Sequence, residues 1–112
     1  TITFAINVRA FAHKLKNVPG LQSDIQQLIR SSGSVGANYI EANESLGRKD
    51  FVMRIRICLK EVKESAYWLK LIKKSTDNQN ETINTLINEA VELKNIFAKI
   101  IQTTTQKLNL NN

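Results

Sequence analysis

The spacing of apolar residues in the second half of the chain limits its fold more than any other feature. Ile83, Leu86, Ala90, Leu93, Phe97 and Ile100 alternate at three and four residues, the heptad repeat of helices that wind left-handedly around one another. Phe51, Ile55, Leu59, Val62, Ala66 and Leu69 carry a second series at the same two intervals, a bundle-type seam. A strand would repeat its buried face every second residue, and neither series does. Two long helices follow, at about 49–74 and 81–106, each needing something apolar to cover its stripe.

The first half supplies two partners. Phe4, Val8, Phe11 and Leu15 recur at four, three and four residues until Pro19-Gly20 stops the pattern, which places a helix at about 2–17. A second stretch at about 21–44 takes Ser23 or Asp24 as its N-cap and runs through Ile25, Leu28 and Ile29. Its middle, Ser31-Ser32-Gly33-Ser34-Val35-Gly36-Ala37, is a poor helix former, each glycine costing about 0.8–1 kcal/mol relative to alanine. Either a loop splits the stretch there, or a helix is held by tertiary packing with small side chains admitting a neighbouring backbone. Helical spacing resumes at Ala37, Ile40 and Glu44, in keeping with the helix. Ser45-Leu46-Gly47 ends it, and Asp50 supplies the negative charge that a new helix N-terminus favours. Ser75 to Asn80 reads as a polar turn and Asn109 to Asn112 as a frayed end. Short connections favour an all-α, up-and-down antiparallel four-helix bundle, with residues 1–112 as a single domain. No internal repeat or low-complexity linker interrupts it.

Small counts remove several chemistries. One cysteine, Cys58, leaves no internal disulfide framework and no zinc site built on cysteine pairs, and suits a reducing cytoplasm. One proline and four glycines argue against a turn-rich all-β chain. No apolar run approaches the roughly 18–20 residues that span a bilayer, and residues 1–20 lack the apolar core of a secretory signal. Glu41, Glu44, Glu61 and Glu64 resemble part of a carboxylate-bridged metal site, but the one histidine, His13, has no useful ligand spacing. These glutamates read better as exposed or structurally paired. Cys58, at the edge of the seam, reads as a buried inert thiol, and Gly33-Ser34-Val35-Gly36 lacks the Gly-Lys-Ser/Thr end of a phosphate loop. The expectation is a protein that is not an enzyme, with no catalytic residues, metal, cofactor or small-molecule substrate.

Charge is informative through its location. The chain carries 16 Lys and Arg against 10 Asp and Glu, a net +6. Residues 48–74 hold nine of the basic and three of the acidic residues, so the whole excess belongs to one helix while the other 85 residues balance. At about 100° per residue, Lys49, Arg56, Lys60, Lys63, Lys70 and Lys74 share one stripe with Tyr67, roughly 38 Å long. Such a stripe can follow several phosphates, with binding that weakens steeply as salt rises. Lysine-rich faces are more often simply solvated, and that reading stands beside it. On the same helix Met53, Ile57, Trp68 and Leu71 form a second apolar patch. One stripe suffices for a monomeric bundle, so the second suggests a subunit interface, unless the seam is merely wide and Trp68 caps the core.

The stretch Gln27-Leu28-Ile29-Arg30-Ser31-Ser32-Gly33-Ser34-Val35-Gly36-Ala37-Asn38-Tyr39-Ile40-Glu41-Ala42, then Lys49-Asp50-Phe51 and Lys60-Glu61-Val62-Lys63-Glu64-Ser65-Ala66-Tyr67-Trp68-Leu69, resembles the bacterial four-helix-bundle proteins encoded within intervening sequences of 23S ribosomal RNA genes. The resemblance covers nearly the whole chain. Where many members have Ala-Glu-Gly this chain has Ile40-Glu41-Ala42, and Gly36 stands where proline is common; these departures bear on subgroup and not on fold. The resemblance implies an up-down bundle, a homopentameric ring and a role in binding RNA or DNA. Accessory proteins of diversity-generating retroelements resemble a related branch, with a basic pentameric barrel that works beside a reverse transcriptase. No catalytic residues carry over. Arg30, Asn38 and Glu41 match the motif and suit a structural role, as polar groups at a helix junction whose close approach Gly33 and Gly36 permit.

The functional expectation is therefore an oligomeric, non-enzymatic bundle that binds nucleic acid along the basic stripe. The competing class is a structural or protein-interaction module with a solvated basic face.

Overall fold

The computed structural model describes residues 1–76 and 81–110. They form four helices, α1 (Ile2–Lys14), α2 (Gln22–Asn43), α3 (Arg48–Thr76) and α4 (Glu81–Leu110), and no strand. Each helix packs against the next and α1 against α4. Across α2 and α3, Arg30 meets Glu61 and Glu64, Ser31 meets Ser65, Val35 meets Cys58 and Asn38 meets Arg54. Rising numbers on one helix against falling numbers on the other make this pair antiparallel. The result is a rod of 54 × 21 × 19 Å, the four-helix bundle that the apolar spacing requires.

Helix α1 stops three residues short of the expected Asn17. Leu15 and Val18 make turn hydrogen bonds to Ala12 and Leu15 instead, and Pro19, which has no N–H to donate, cannot resume the helix. Gly20 then takes a left-handed φ of +84°, a conformation open to glycine without steric cost. Neither Ser23 nor Asp24 caps α2. Leu21 occupies that position without a side-chain hydrogen bond, and Asp24 lies in the first turn, where its charge still faces the positive end of the helix. The Gln22 amide donates back to the Lys16 and Val18 carbonyls, tying the α1–α2 turn to the start of α2.

The doubtful middle of α2 is continuous helix. Ser31 and Ser32 donate their hydroxyls to the Leu28 and Ile29 carbonyls, so these buried side chains are satisfied locally. Packing holds the segment: Leu28, Ser31, Ser32 and Val35 are wholly buried. On α3 the buried line runs Ile55, Cys58, Val62, Ser65, Leu69 and Ile72, a strict alternation of three and four. Cys58 and Ser65 thus take the places in the seam that the apolar series assigned to Leu59 and Ala66, which are half-buried. On α4, Ile83, Leu86, Ala90 and Phe97 are buried, and Ile101 rather than Ile100 ends the series. Tyr39 meets Phe97 across the core, ring centroids 6.1 Å apart. Of the expected turn at Ser75–Asn80, Ser75 and Thr76 continue α3 and 77–80 lie outside the described residues; Asn109 is helical and 111–112 lie outside them as well.

Candidate nucleic-acid interface

Helix α3 turns its seam inward and thereby turns the opposite arc to water. Lys49, Arg56, Lys60, Lys63, Tyr67, Lys70 and Lys74 are all exposed, so the structure brings together every member of the expected stripe. The two ion pairs among the described residues both belong to Arg30, and no described carboxylate lies within ion-pair distance of a cation of the stripe. Tyr67 is 57% exposed. Its ring sits edge-on to Trp68, centroids 5.0 Å apart and planes at 74°, an arrangement favoured by the ring quadrupoles.

The stripe borders a groove between α3 and α4. One hollow of about 910 Å³ has Tyr67, Leu71 and Ile87 beside Lys70, Lys74 and Asn88. A second, of about 360 Å³, lies along the same two helices and shares Tyr67 and Lys70, adding Lys63, Val91 and Lys94. None of the described residues lining either hollow is acidic. Sequence reasoning missed the α4 wall, because Asn84, Asn88 and Lys94 fall outside any charge run. Their signal is relational and appears once α4 lies antiparallel to α3.

Arg30, Asn38 and Glu41 do not meet one another. Arg30 reaches α3, where Nη1 donates to Glu61 at 3.3 Å and Nη2 to Glu64 at 2.5 Å. This bonding holds the Glu64 carboxyl below its usual range and the guanidinium above its own. The Trp68 indole Nε1 also donates to Glu64, at 3.4 Å. Asn38 donates to the Ser34 carbonyl and hydroxyl and accepts from Arg54 at 3.4 Å, while Glu41 is exposed. Glu61 and Glu64 are therefore structurally paired, and the described residues contain no group of three or more side chains suited to hold a metal.

The glycines do not serve the α2–α3 junction either. A Cβ at Gly33 would meet the Arg9 guanidinium at 3.6 Å and one at Gly36 the Thr1 side chain at 3.8 Å. Both face α1, and both distances are ordinary contact. The close approach between α2 and α3 rests instead on Ser31 against Ser65, whose hydroxyls are 2.8 Å apart, and on Cys58 against the Val35 carbonyl. Burial pushes the Cys58 thiol up to about 11, so it stays protonated and unreactive near neutrality. His13 is exposed.

The four members of the second apolar patch differ in exposure. Met53 is 51% exposed and Ile57 half-buried, whereas Trp68 is half-buried against the core and Leu71 lines the groove toward α4. Lys60 and Glu64 lie between the two pairs on the helix. No helix of the described residues is long and apolar enough to cross a membrane.

An antiparallel all-α bundle with a cationic face along its third helix is the class that these elements define. Residues 2–99 match the model of the 23S rRNA-intervening sequence protein family, and the chain belongs to that family. It is similar to the crystal structure of a protein of unknown function from the S23 ribosomal protein family of Bacteroides thetaiotaomicron VPI-5482. The TM-score is 0.82 and the identity 30%, over 89% of this chain and 93% of that one. No curated protein matches the chain.

Proposed function

We propose that this protein binds nucleic acid, RNA or DNA, along the exposed face of α3, acting as a binding protein in the cytoplasm rather than as an enzyme. The observation that carries the reading is the row of six exposed cations, Lys49, Arg56, Lys60, Lys63, Lys70 and Lys74, none in an ion pair with another described residue, with Tyr67 among them on one rigid helix. A helix of this length fixes the spacing of the backbone positions that carry the charges, so the row keeps its register along a phosphate backbone. Three other reactive groups are committed to structure: Cys58 is buried, and Glu61 and Glu64 hold Arg30. Fluorescence anisotropy against mixed RNA and DNA tests the reading. Binding at micromolar or tighter affinity is expected in about 50 mM salt, collapsing as salt rises. Lys60→Glu with Lys63→Glu abolishes it without unfolding the bundle, since both side chains are exposed. Absence of binding at low salt would sink the proposal and leave a solvated face on a protein-interaction module.

We also propose that the chain self-associates, five copies being the number its family resemblance implies. Leu46, fully exposed at the α2–α3 turn, lines one hollow with Met53, and an apolar pair left in water at the end of a rod favours burial against another chain.

A further inference from the structure

We propose that the α3–α4 groove is a single-strand site, in which one unpaired base stacks on Tyr67 while flanking phosphates meet Lys63, Lys70, Lys74 and Lys94. This rests on the nucleic-acid reading above and narrows it to one class of ligand. A stripe of lysines alone does not distinguish strands from duplexes, because both present phosphates. Tyr67 does. Its ring lies in the middle of the cationic row, 57% exposed, and Trp68 supports it edge-on at 5.0 Å. A base face can reach that ring only when it is free of its own stack, as in a single strand or a loop.

The surroundings suit the same ligand. Beside the ring, Leu71 and Ile87 give the 910 Å³ hollow an apolar floor, with Lys70, Lys74 and Asn88 around it. That volume falls within the range of small-ligand sites. An apolar floor takes the flat face of a base, the amide of Asn88 can donate to or accept from a base edge, and the lysines take the backbone. Along the same groove Lys63 of α3 and Lys94 of α4 line the second hollow with Val91, so cations border the path on both helices. Charge complementarity over this path, without a carboxylate among its described lining residues, is what identifies a polyanion as the occupant. The exposed aromatic ring identifies one with free bases.

The test compares a fluorescein-labelled strand of about 15 nucleotides, carrying one 2-aminopurine and no self-complementarity, with its own duplex at about 50 mM salt. The single strand is expected to bind roughly tenfold tighter or more, and its 2-aminopurine fluorescence to fall on binding as the base stacks. Tyr67→Ala is expected to weaken the single strand by roughly fivefold to a hundredfold and leave the duplex where it was; Tyr67→Phe, which keeps the stacking face, retains wild-type affinity. Thermal melting of both variants shows whether the bundle is intact, as expected for so exposed a ring. Equal binding of strand and duplex with no effect of Tyr67→Ala overturns this inference and leaves the α3 reading standing. Failure of both oligonucleotides to bind removes both. A polyglutamate peptide that binds as tightly as the single strand, and loses as much on Tyr67→Ala, also overturns it, because the groove would then be reading charge without bases.

Discussion

Glu61 keeps only 7% of its surface in water, and Arg30 supplies the opposite charge beside it, 3.3 Å away. Arg30 binds Glu64 with its other nitrogen, and Glu64 accepts from Trp68 as well. The guanidinium thus joins α2 to two successive turns of α3. Its hydrogen bond holds Glu64 below the ordinary carboxylate range, and the sign of the pH dependence follows. A depressed folded-state pKa adds stability that is fully present above the unfolded value, near 4.3, and is lost as pH falls through the lower folded value. Urea unfolding should therefore show stability declining as pH drops below about 4.5, with Glu64→Gln flattening that part of the profile. Arg30 is half exposed, which screens the pair, so Arg30→Ala is expected to cost about 1–2 kcal/mol at neutral pH. An unchanged acid profile in Glu64→Gln would remove this role. The motif around Arg30 was legible in the sequence, whereas its partners were not, because they lie on another helix at a separation that only packing determines.

At the scale of the elements, apolar spacing located all four helices and missed part of the seam on α3 and the end of the one on α4. Cys58 and Ser65 are the residues that complete the three-four alternation on α3, yet a hydroxyl does not register as core in a pattern of apolar residues. Serine fits because Ser31 stands opposite and the two hydroxyls bond each other. The pairing, and not either residue alone, makes the position buried. The same limit applies to the groove, whose α3 wall was visible as a charge stripe while its α4 wall required the antiparallel packing of two helices. Gly33 and Gly36 taught the opposite lesson, since small residues suggested a close backbone approach and the structure places only the side chains of Arg9 and Thr1 there. Gly36→Ala is accordingly expected to stabilise the protein by about 0.5–1 kcal/mol through helix propensity and a less flexible unfolded chain, raising Tm by several degrees. Gly20→Ala is expected to destabilise it, because φ of +84° is strained for alanine. Calorimetry on both variants checks the pair; destabilisation by Gly36→Ala would restore the close approach that the structure does not show.

The molecule as a whole separates its surfaces. Cations line one long face of α3, while apolar side chains stay in water elsewhere, among them Ile40 on α2, Ile96 on α4, and two pairs: Leu46 and Met53 by the α2–α3 turn, and Ile2 and Ile6 on α1, which are 61% and 59% exposed. A ring with an odd number of identical chains closes through head-to-tail contacts, in which one patch of each chain meets a different patch of the next. Two unlike apolar patches on one chain suit that arrangement. Light scattering should then report several chains, with five expected. Met53→Lys, at an exposed position, should dissociate them, a cleaner probe than Trp68, which packs on the core and bonds Glu64. Ile6→Lys should dissociate them as well. Mixing the two variants discriminates further: each retains the patch the other has lost, so a head-to-tail contact restores one interface per pair and yields a mixed dimer. A symmetric contact that uses the Met53 patch twice would restore none. Wild-type protein that remains a monodisperse monomer would overturn the assembly, and it would leave Leu46 and Met53 as apolar residues exposed singly, a common feature of monomeric surfaces.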